Sequence, residues 1–542
     1  MGGTYFPKNS QNGLPSFKEV LQNVHDAYNQ QKENIIKQKD LIVKNLDLKK
    51  NSVLNQDLEP ILETSLNYLD PIKGGYKGTP KFPTFNLYET LLYFYNKTKD
   101  KKYLDPVALI IKQLCSKGIY DHVEGGISRY AVDENWVIPH FEKMLYDNGP
   151  MMSVLCDSHA AFDDSFYLKK ANEIFKWVNN FMTSEYGGFY STIDADSEGE
   201  EGKYYVFSQK ELKENFNEED FNLINEYFTD SGKTNFEGSH HLHVYRKKEL
   251  VFKKDINNFE NIMNKLCELR KDKVMPGIDT KILLSWNCLY IKGLIKLYKV
   301  SNNKNVLKVI DRSFEFIFKS MVTDNVIYSC FNNKPCFPGY LDDYALLVSS
   351  LIDYLSIQWS DKHYELSKRI CADLIDSFED KEKGGYFFTS NNHEKLFYRP
   401  KSISDDSVPS GLVYATDALL QMGYLSGDQR LIDSAERSIN YVRKSFGDNM
   451  TSNVSAINLL HDDNIEREII IVRCSETSWN EIIKEKAYYD KFILYINNDY
   501  TDLPDAIESK KTQGDFSAYI CQGMSCLKPI ANLKDFIAHL YV

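Results

Sequence analysis

The chain has 542 residues, 42% of them apolar, and a formal net charge of −12. That length exceeds one ordinary domain and supports a substantial core. The acidic balance argues against nucleic acid or an anionic membrane as the main partner. No run of 18 apolar residues occurs, so the sequence offers no membrane span, and its polar N-terminus lacks signal-peptide character. Most of the ten cysteines are lone and sit in apolar helical contexts (Cys115, Cys156, Cys267, Cys371). This reads as reduced, buried thiols in a cytoplasmic protein. The abundance of aromatics, 36 Tyr and 31 Phe, suits a sugar-stacking cleft, although a Lys-, Asn- and Tyr-heavy composition also follows from biased codon usage.

In chain order, Thr4-Tyr5-Phe6 reads as a short strand after the Gly2-Gly3 turn. Ser16 then stands as the N-cap of a helix over 17–46 whose apolar run begins Phe17, Val20, Leu21, Val24. From about residue 55 long amphipathic segments alternate with short punctuations: Gly74-Gly75-Tyr76, Gly125-Gly126-Ile127, Gly187-Gly188-Phe189, Pro276-Gly277, Pro338-Gly339-Tyr340 and Gly384-Gly385-Tyr386. Repetition on this scale signals a repeat architecture. Each unit has room for two helices. Leu341, Tyr344, Leu347, Leu351 and Leu355 keep helical spacing, and Val413–Leu425 is followed by a second stripe, Leu431, Ala435, Ile439 and Val442. The expected fold is mainly α: an (α/α)6 toroid with loops gathered at one end of its funnel. From about 466 the pattern turns β-rich ("EIIIVRC", "KFILYIN", "FSAYIC") and reads as a small α/β region. The expected division is 1–50, 51–462 and 463–542.

The densest polar stretch, 119–149, holds His122, Arg129, Tyr130, Asp133, Trp136, His140, Glu142, Lys143, Tyr146 and Asp147 in a loop feeding a helix. Pro139 is read as a helix start, which puts His140 at a helix entrance as either a satisfied core histidine or a general acid/base. The stretch 187–208 spaces Asp194, Asp196, Glu198 and Gly199 like the start of a calcium loop, but the twelfth position is Tyr205 rather than a bidentate Glu. The alternation in Phe189-Tyr190-Ser191-Thr192 and Tyr204-Tyr205-Val206-Phe207 predicts a two-stranded insert with an acidic tip, its carboxylates either solvated or available for proton transfer and sugar hydroxyls. Later loops offer Asp279, Lys281, Trp286 and Asn287, then Asp342 and Asp343, then Arg399, Lys401, Asp405, Asp406 and Ser410. Singly each acidic residue reads as a cap, and their recurrence at equivalent loop ends makes a lined site. "SGKT" lacks the spacing of a phosphate loop, and His241 and His243 show no matched ligand pair, so neither a cofactor nor a metal is expected. Cys521 and Cys526 read by default as structural thiols, with a metal or redox pair as the other reading.

"GGTYFP", "GTPKFP", "GGISRYAVDENWVIPHFEKMLYDN", "DADSEGEEGKYYV", "SWN", "LDDYA", "RPK…PSG" and "AYICQGMSC" resemble the spermatogenesis-associated protein 20-like family, in order along the whole chain. Departures are Glu124, Cys288, Asp406 and Leu412. The resemblance implies a thioredoxin-like domain fused to a barrel similar to N-acylglucosamine 2-epimerases and six-hairpin glycosidases. Residues 1–50 would be the C-terminal remnant of that domain, its cysteines upstream and Thr4–Phe6 unpaired or docked on the toroid. The expected function is carbohydrate-active, epimerase/isomerase- or glycosidase-like, on a small sugar-like molecule, with no nucleic-acid or membrane partner. His140, Glu142, Asp194, Asp196 and Asp279 are the candidate acid/base groups. His122, Arg129, Tyr130, Trp136, Trp286, Asn287, Asp342, Asp343 and Arg399 are the candidate binding groups. The alternatives are a ligand-binding or redox-accessory protein, or an inactive truncated copy.

Overall fold

The computed structural model describes residues 6–11, 13–47, 58–230, 232–244, 256–323, 325–395, 397–446, 452–465, 468–485, 491–512 and 514–541. Thr4 and Tyr5 of the expected first strand lie outside them. Ser16 does cap a helix, with Glu19 closing a reciprocal capping box. The helix expected over 17–46 is broken at Gln31 into Phe17–Gln30 and Lys32–Asp47.

Among the described residues six helices form a closed inner ring: Phe85–Thr98, Leu145–Phe162, Leu284–Ser301, Leu341–Leu355, Gly411–Ser426 and Val454–Ile465, the last packing back on the first. Each is backed by an outer helix, in turn Lys101–Ser116, Ser165–Phe181, Lys304–Ser320, Asp361–Ser377 and Gln429–Ser445, with Leu58–Leu66 behind the last. The expected (α/α)6 toroid is the fold. The physical division of labour is in the side chains. The Lys304 helix buries Val306, Ile310, Phe314 and Ile317 along one stripe, as an outer helix must. The Leu145 helix is buried on all sides through its first three turns. Small residues bring two inner helices together: a Cβ on Gly149 would lie 2.7 Å from the Cα of Tyr290, and one on Gly293 would lie 2.6 Å from the Gly149 carbonyl oxygen.

The Gly-Gly punctuations are turns that follow outer helices, closing the bridges Leu69↔Tyr76, Tyr120↔Ile127, Thr183↔Phe189 and Glu379↔Tyr386. The two Pro-Gly sites do not belong to this series; they adjoin strands Ile278–Asp279 and Pro335–Pro338, which lead into inner helices. Three of the Gly-Gly turns carry a device of their own. Asp70, Asp121 and Asp380 each accept backbone N–H bonds from the turn on one carboxylate oxygen. The other oxygen takes a lysine ammonium (Lys81, Lys143, Lys401) that also donates to the carbonyl of the first glycine. At Gly75 and Gly126 the backbone is left-handed, and a Cβ would run into Trp136 and Trp177 at 2.6 and 2.7 Å.

The long interval between Gly188 and Gly277 is an insertion. The two flanking segments expected to form its strands do not pair with each other: Thr192–Ile193 pairs with Lys143–Met144 and Ile278–Asp279, and Phe207–Ser208 with Ser239–His240. Between them a smaller hairpin, Asp196–Ser197/Glu200–Glu201, turns through Glu198 and Gly199, both at positive φ. Beyond it, helices Gln209–Asn215, Glu218–Phe228 and Ile256–Lys271 share a small core with Phe207 and Leu242. At the C-terminal end, strands Ile493–Asn497, Glu468–Cys474, Phe516–Gln522 and Ser525–Cys526 form one mixed sheet in that spatial order. Ile469, Ile471 and Tyr519 join the barrel core on one side, while Ile470, Val472 and Phe516 pack with Trp479 and Phe536 on the other.

Candidate active site

His140 is not at a helix entrance. Pro139–His140 is a short strand paired with Tyr130–Ala131, and the helix begins at Leu145. The chain is held extended here because Arg129 N–H donates to the Glu142 carbonyl and Lys143 is anchored on Asp121. The strand pairing lays the His140 ring over Tyr130, centroids 5.1 Å apart and planes 23° apart. Its Nδ1 is 2.7 Å from Glu201 Oε1, and its Nε2 is 3.7 Å from Glu142 Oε2. Arg129 Nη1 donates to that same Glu142 oxygen at 3.3 Å. His140 thus stands between two carboxylates, one of them shared with a guanidinium.

The first turns of the inner helices bring further groups to the same end. Asp147 is buried with Oδ2 making no hydrogen bond to any described residue. Burial pushes its carboxyl well above the usual range; Arg129 opposes the shift and Glu142 adds to it. Tyr146 meets the Trp286 ring edge to face at 4.6 Å and is hydrogen-bonded to Ser407. Burial, with Asp343 and Asp406 nearby, pushes the Asp342 carboxyl up to about 7. Asp343 accepts from the N–H groups of Tyr340 (3.0 Å) and Ser285 (3.2 Å), so it fastens two helix starts together. Deeper along the axis Lys296 lies 3.0 Å from Glu89 and 2.8 Å from Asp157, while Lys292 binds Ser349 and Asp353.

Arg129, Tyr130, His140, Glu142, Trp286 and Asp342 stand at one end of the barrel, in the segment before the Leu145 helix and at the starts of two further inner helices. Several expected binding groups do other work. Trp136 is fully buried, donates its indole N–H to the Lys73 carbonyl and fills the space beside Gly75, so it offers no sugar platform. Asn287 is buried and spends its amide on Phe189 and Leu283. Asn148 makes the same three bonds to Ile127 and Met144 one repeat earlier. His122 bonds the Lys117 carbonyl and packs on Phe228. Arg399 lies over Phe387 and donates to the Thr389 carbonyl. Asp194 and Asp196 are exposed at the base of the acidic hairpin. Asp279 pairs with Lys281 at 3.0 Å. No hydrogen bond or ion pair among the described residues joins these three to His140. Tyr146, Asp147, Glu201, Asp406 and Ser407 complete the cluster; Tyr146, Asp147 and Asp406 stand in the polar stretches read from the sequence without being assigned a role, and Glu201 and Ser407 carry no signal of their own there. Among the described residues no group of three His, Cys, Asp or Glu could hold a metal ion. No described helix is long and apolar enough to cross a membrane. Cys521 and Cys526 are joined in a disulfide rather than standing as thiols.

A family model named Thioredox_DsbH, described as a protein of unknown function (DUF255), matches residues 1–47. Human spermatogenesis-associated protein 20 is 27% identical over 491 residues, covering 80% of this chain and 62% of that protein. The uncharacterized protein B0495.5 of Caenorhabditis elegans is 26% identical over 471 residues, covering 78% and 64%. The chain thus spans less than two thirds of the length of these relatives. Cellobiose 2-epimerase from Bacillus thermoamylovorans is similar in fold at a TM-score of 0.47 and 12% identity, covering 71% of this chain and 86% of that one. An unsaturated glucuronyl hydrolase from Bacillus sp. GL1 has a TM-score of 0.45 and 10% identity, covering 75% and 94%. Over the part of their length that it spans, the chain is a homologue of the spermatogenesis-associated protein 20-like proteins.

Proposed function

We propose that the chain acts on a sugar-like molecule by acid/base chemistry of the epimerase, isomerase or glycosidase kind at the mouth of the barrel. The observation that carries this reading is a pair of buried carboxyls in the first turns of two inner helices, both raised above the usual carboxylate range: Asp147 beside Arg129 and Glu142 of the His140 cluster, and Asp342 beside Asp343 and Asp406. A carboxyl that keeps its proton near neutral pH serves as a general acid, and an imidazole set between carboxylates serves as a proton carrier. Tyr130, Tyr146 and Trp286 supply ring faces and edges for the C–H side of a sugar, while Arg129 and the carboxylates meet its hydroxyls.

The test is a thermal-shift screen of neutral and amino sugars, followed by NMR in deuterated water on any sugar that binds. Deuterium gained at a ring carbon marks epimerase or isomerase chemistry, and a new reducing end marks hydrolysis. Wild type should be stabilised by at least one sugar, with turnover lost in Asp147→Asn and His140→Ala. If no sugar raises the melting temperature, the reading fails.

A further inference from the structure

We propose that Cys521 and Cys526 form an exchangeable thiol–disulfide couple, a redox site on the C-terminal sheet whose reaction partner is a dithiol. The two residues face each other across the hairpin formed by Phe516–Gln522 and Ser525–Cys526, and they are bonded. Strand Ser525–Cys526 is the edge of the sheet, and Cys526 is exposed while Cys521 is buried. One sulfur is therefore open to attack and the other is a sheltered leaving group.

A structural staple is the competing explanation, and the sheet gives it little to do. Phe516–Gln522 is already registered along its full length against Glu468–Cys474, and Ala518 is bridged to Ile530. The disulfide secures only the two residues beyond a tight turn.

The remaining eight cysteines are free. Burial pushes the thiols of Cys115, Cys288 and Cys474 up to about 12 and that of Cys267 to about 11, and it also raises those of Cys156, Cys330 and Cys371. Such thiols are poor nucleophiles at neutral pH. Facing position alone does not close a bond in this chain, because Cys330 and Cys336 also oppose each other across a hairpin and remain free.

In the exchange, one thiolate of the dithiol attacks Cys526 Sγ, the Cys521–Cys526 bond breaks, and Cys521 leaves as a thiolate that takes a proton from solvent. The second thiolate of the dithiol then attacks its own sulfur in the mixed disulfide and releases the Cys526 sulfur, which is protonated in turn. Two electrons and two protons pass to the pair, and the dithiol leaves as a disulfide.

The full native chain is treated with reduced dithiothreitol, alkylated with a maleimide and mapped by peptide mass spectrometry, then reoxidised with oxidised glutathione. Both cysteines should be unlabelled at first, rise by about tenfold or more in labelling after brief reduction with the circular dichroism unchanged, and return to the unlabelled state. Among single variants, Cys521→Ser should take up glutathione from oxidised glutathione at Cys526, about tenfold faster than Cys526→Ser does at Cys521. Reduction only after the chain is unfolded in urea would establish a closed staple and overturn the proposal. Labelling before any reductant, or equal glutathione uptake by the two variants, would overturn it as well.

Discussion

Asp342 Oδ1 lies 2.1 Å from the point where a Cβ on Gly411 would stand. The carboxyl group at one inner-helix start is therefore seated against the bare backbone at the start of the next, where Gly411 N–H helps to stabilise its charge. Gly411→Ala must displace the Asp342 side chain. Overpacking of this kind costs about 1–3 kcal/mol. The expected result is a modest fall in melting temperature together with loss of any sugar-induced thermal shift, measured side by side.

The raised Asp342 carboxyl makes a pH prediction. The unfolded chain releases this proton near 3.8, whereas the folded chain keeps it to about 7. Its contribution to stability is thus full below 3.8 and is lost as pH rises towards 7. Asp342→Asn has no such dependence, so the melting temperature of the variant relative to wild type should climb between pH 4 and about 7 and then level. A flat difference across that range would show that Asp342 ionises normally.

Three histidines predict sensitivity on the acid side. Burial pushes His122 down to about 3 and both His241 and His243 to about 4, against 6.5 in the unfolded chain. Below pH 6.5 the unfolded chain takes up protons that the folded chain refuses. The stability these groups confer is full above 6.5 and drains away as pH falls towards 4. Urea midpoints measured from pH 7 to pH 4 should fall, and His241→Gln should flatten part of that slope.

Asp121 is the most heavily committed of the repeated turn aspartates. It is buried between Arg270, with Nη1 2.6 Å from Oδ2, and Lys143 at 2.8 Å. Against its burial, these cations hold its carboxyl far below the usual range. Asp121→Asn leaves two buried cations short of a counter-charge and should cost about 3–5 kcal/mol in urea unfolding. Asp380→Asn, which uncovers Lys401 alone, should cost less.

The helical-hairpin plan could be read from the order of residues because helix spacing and the four Gly-Gly turns are local properties, whereas the two Pro-Gly sites read as part of the same series are strand-flanking turns of another kind. The turn aspartate and its lysine were invisible as a device because they stand 11 residues apart in one copy, 22 in the next and 21 in the third, as Lys81–Asp70, Lys143–Asp121 and Lys401–Asp380. A varying gap leaves no spacing to recognise. Likewise Trp136 and Asn287 looked like binding groups because residue type alone does not tell a ring that lines a funnel from one that fills the gap beside a glycine.

The chain itself determined the mainly helical architecture and its hairpin order, since these follow from periodicity and from short-range turn chemistry. Only the tertiary structure decided which polar groups of the stretch around His140 converge. Asp147 meets Arg129 and Glu142, His140 meets Glu201 from an insertion 61 residues on, and Asp342 meets Asp406 from the next repeat. Ring closure sets those approaches, and burial at the helix starts, which no single segment carries, is what pushes the two carboxyls above the usual carboxylate range.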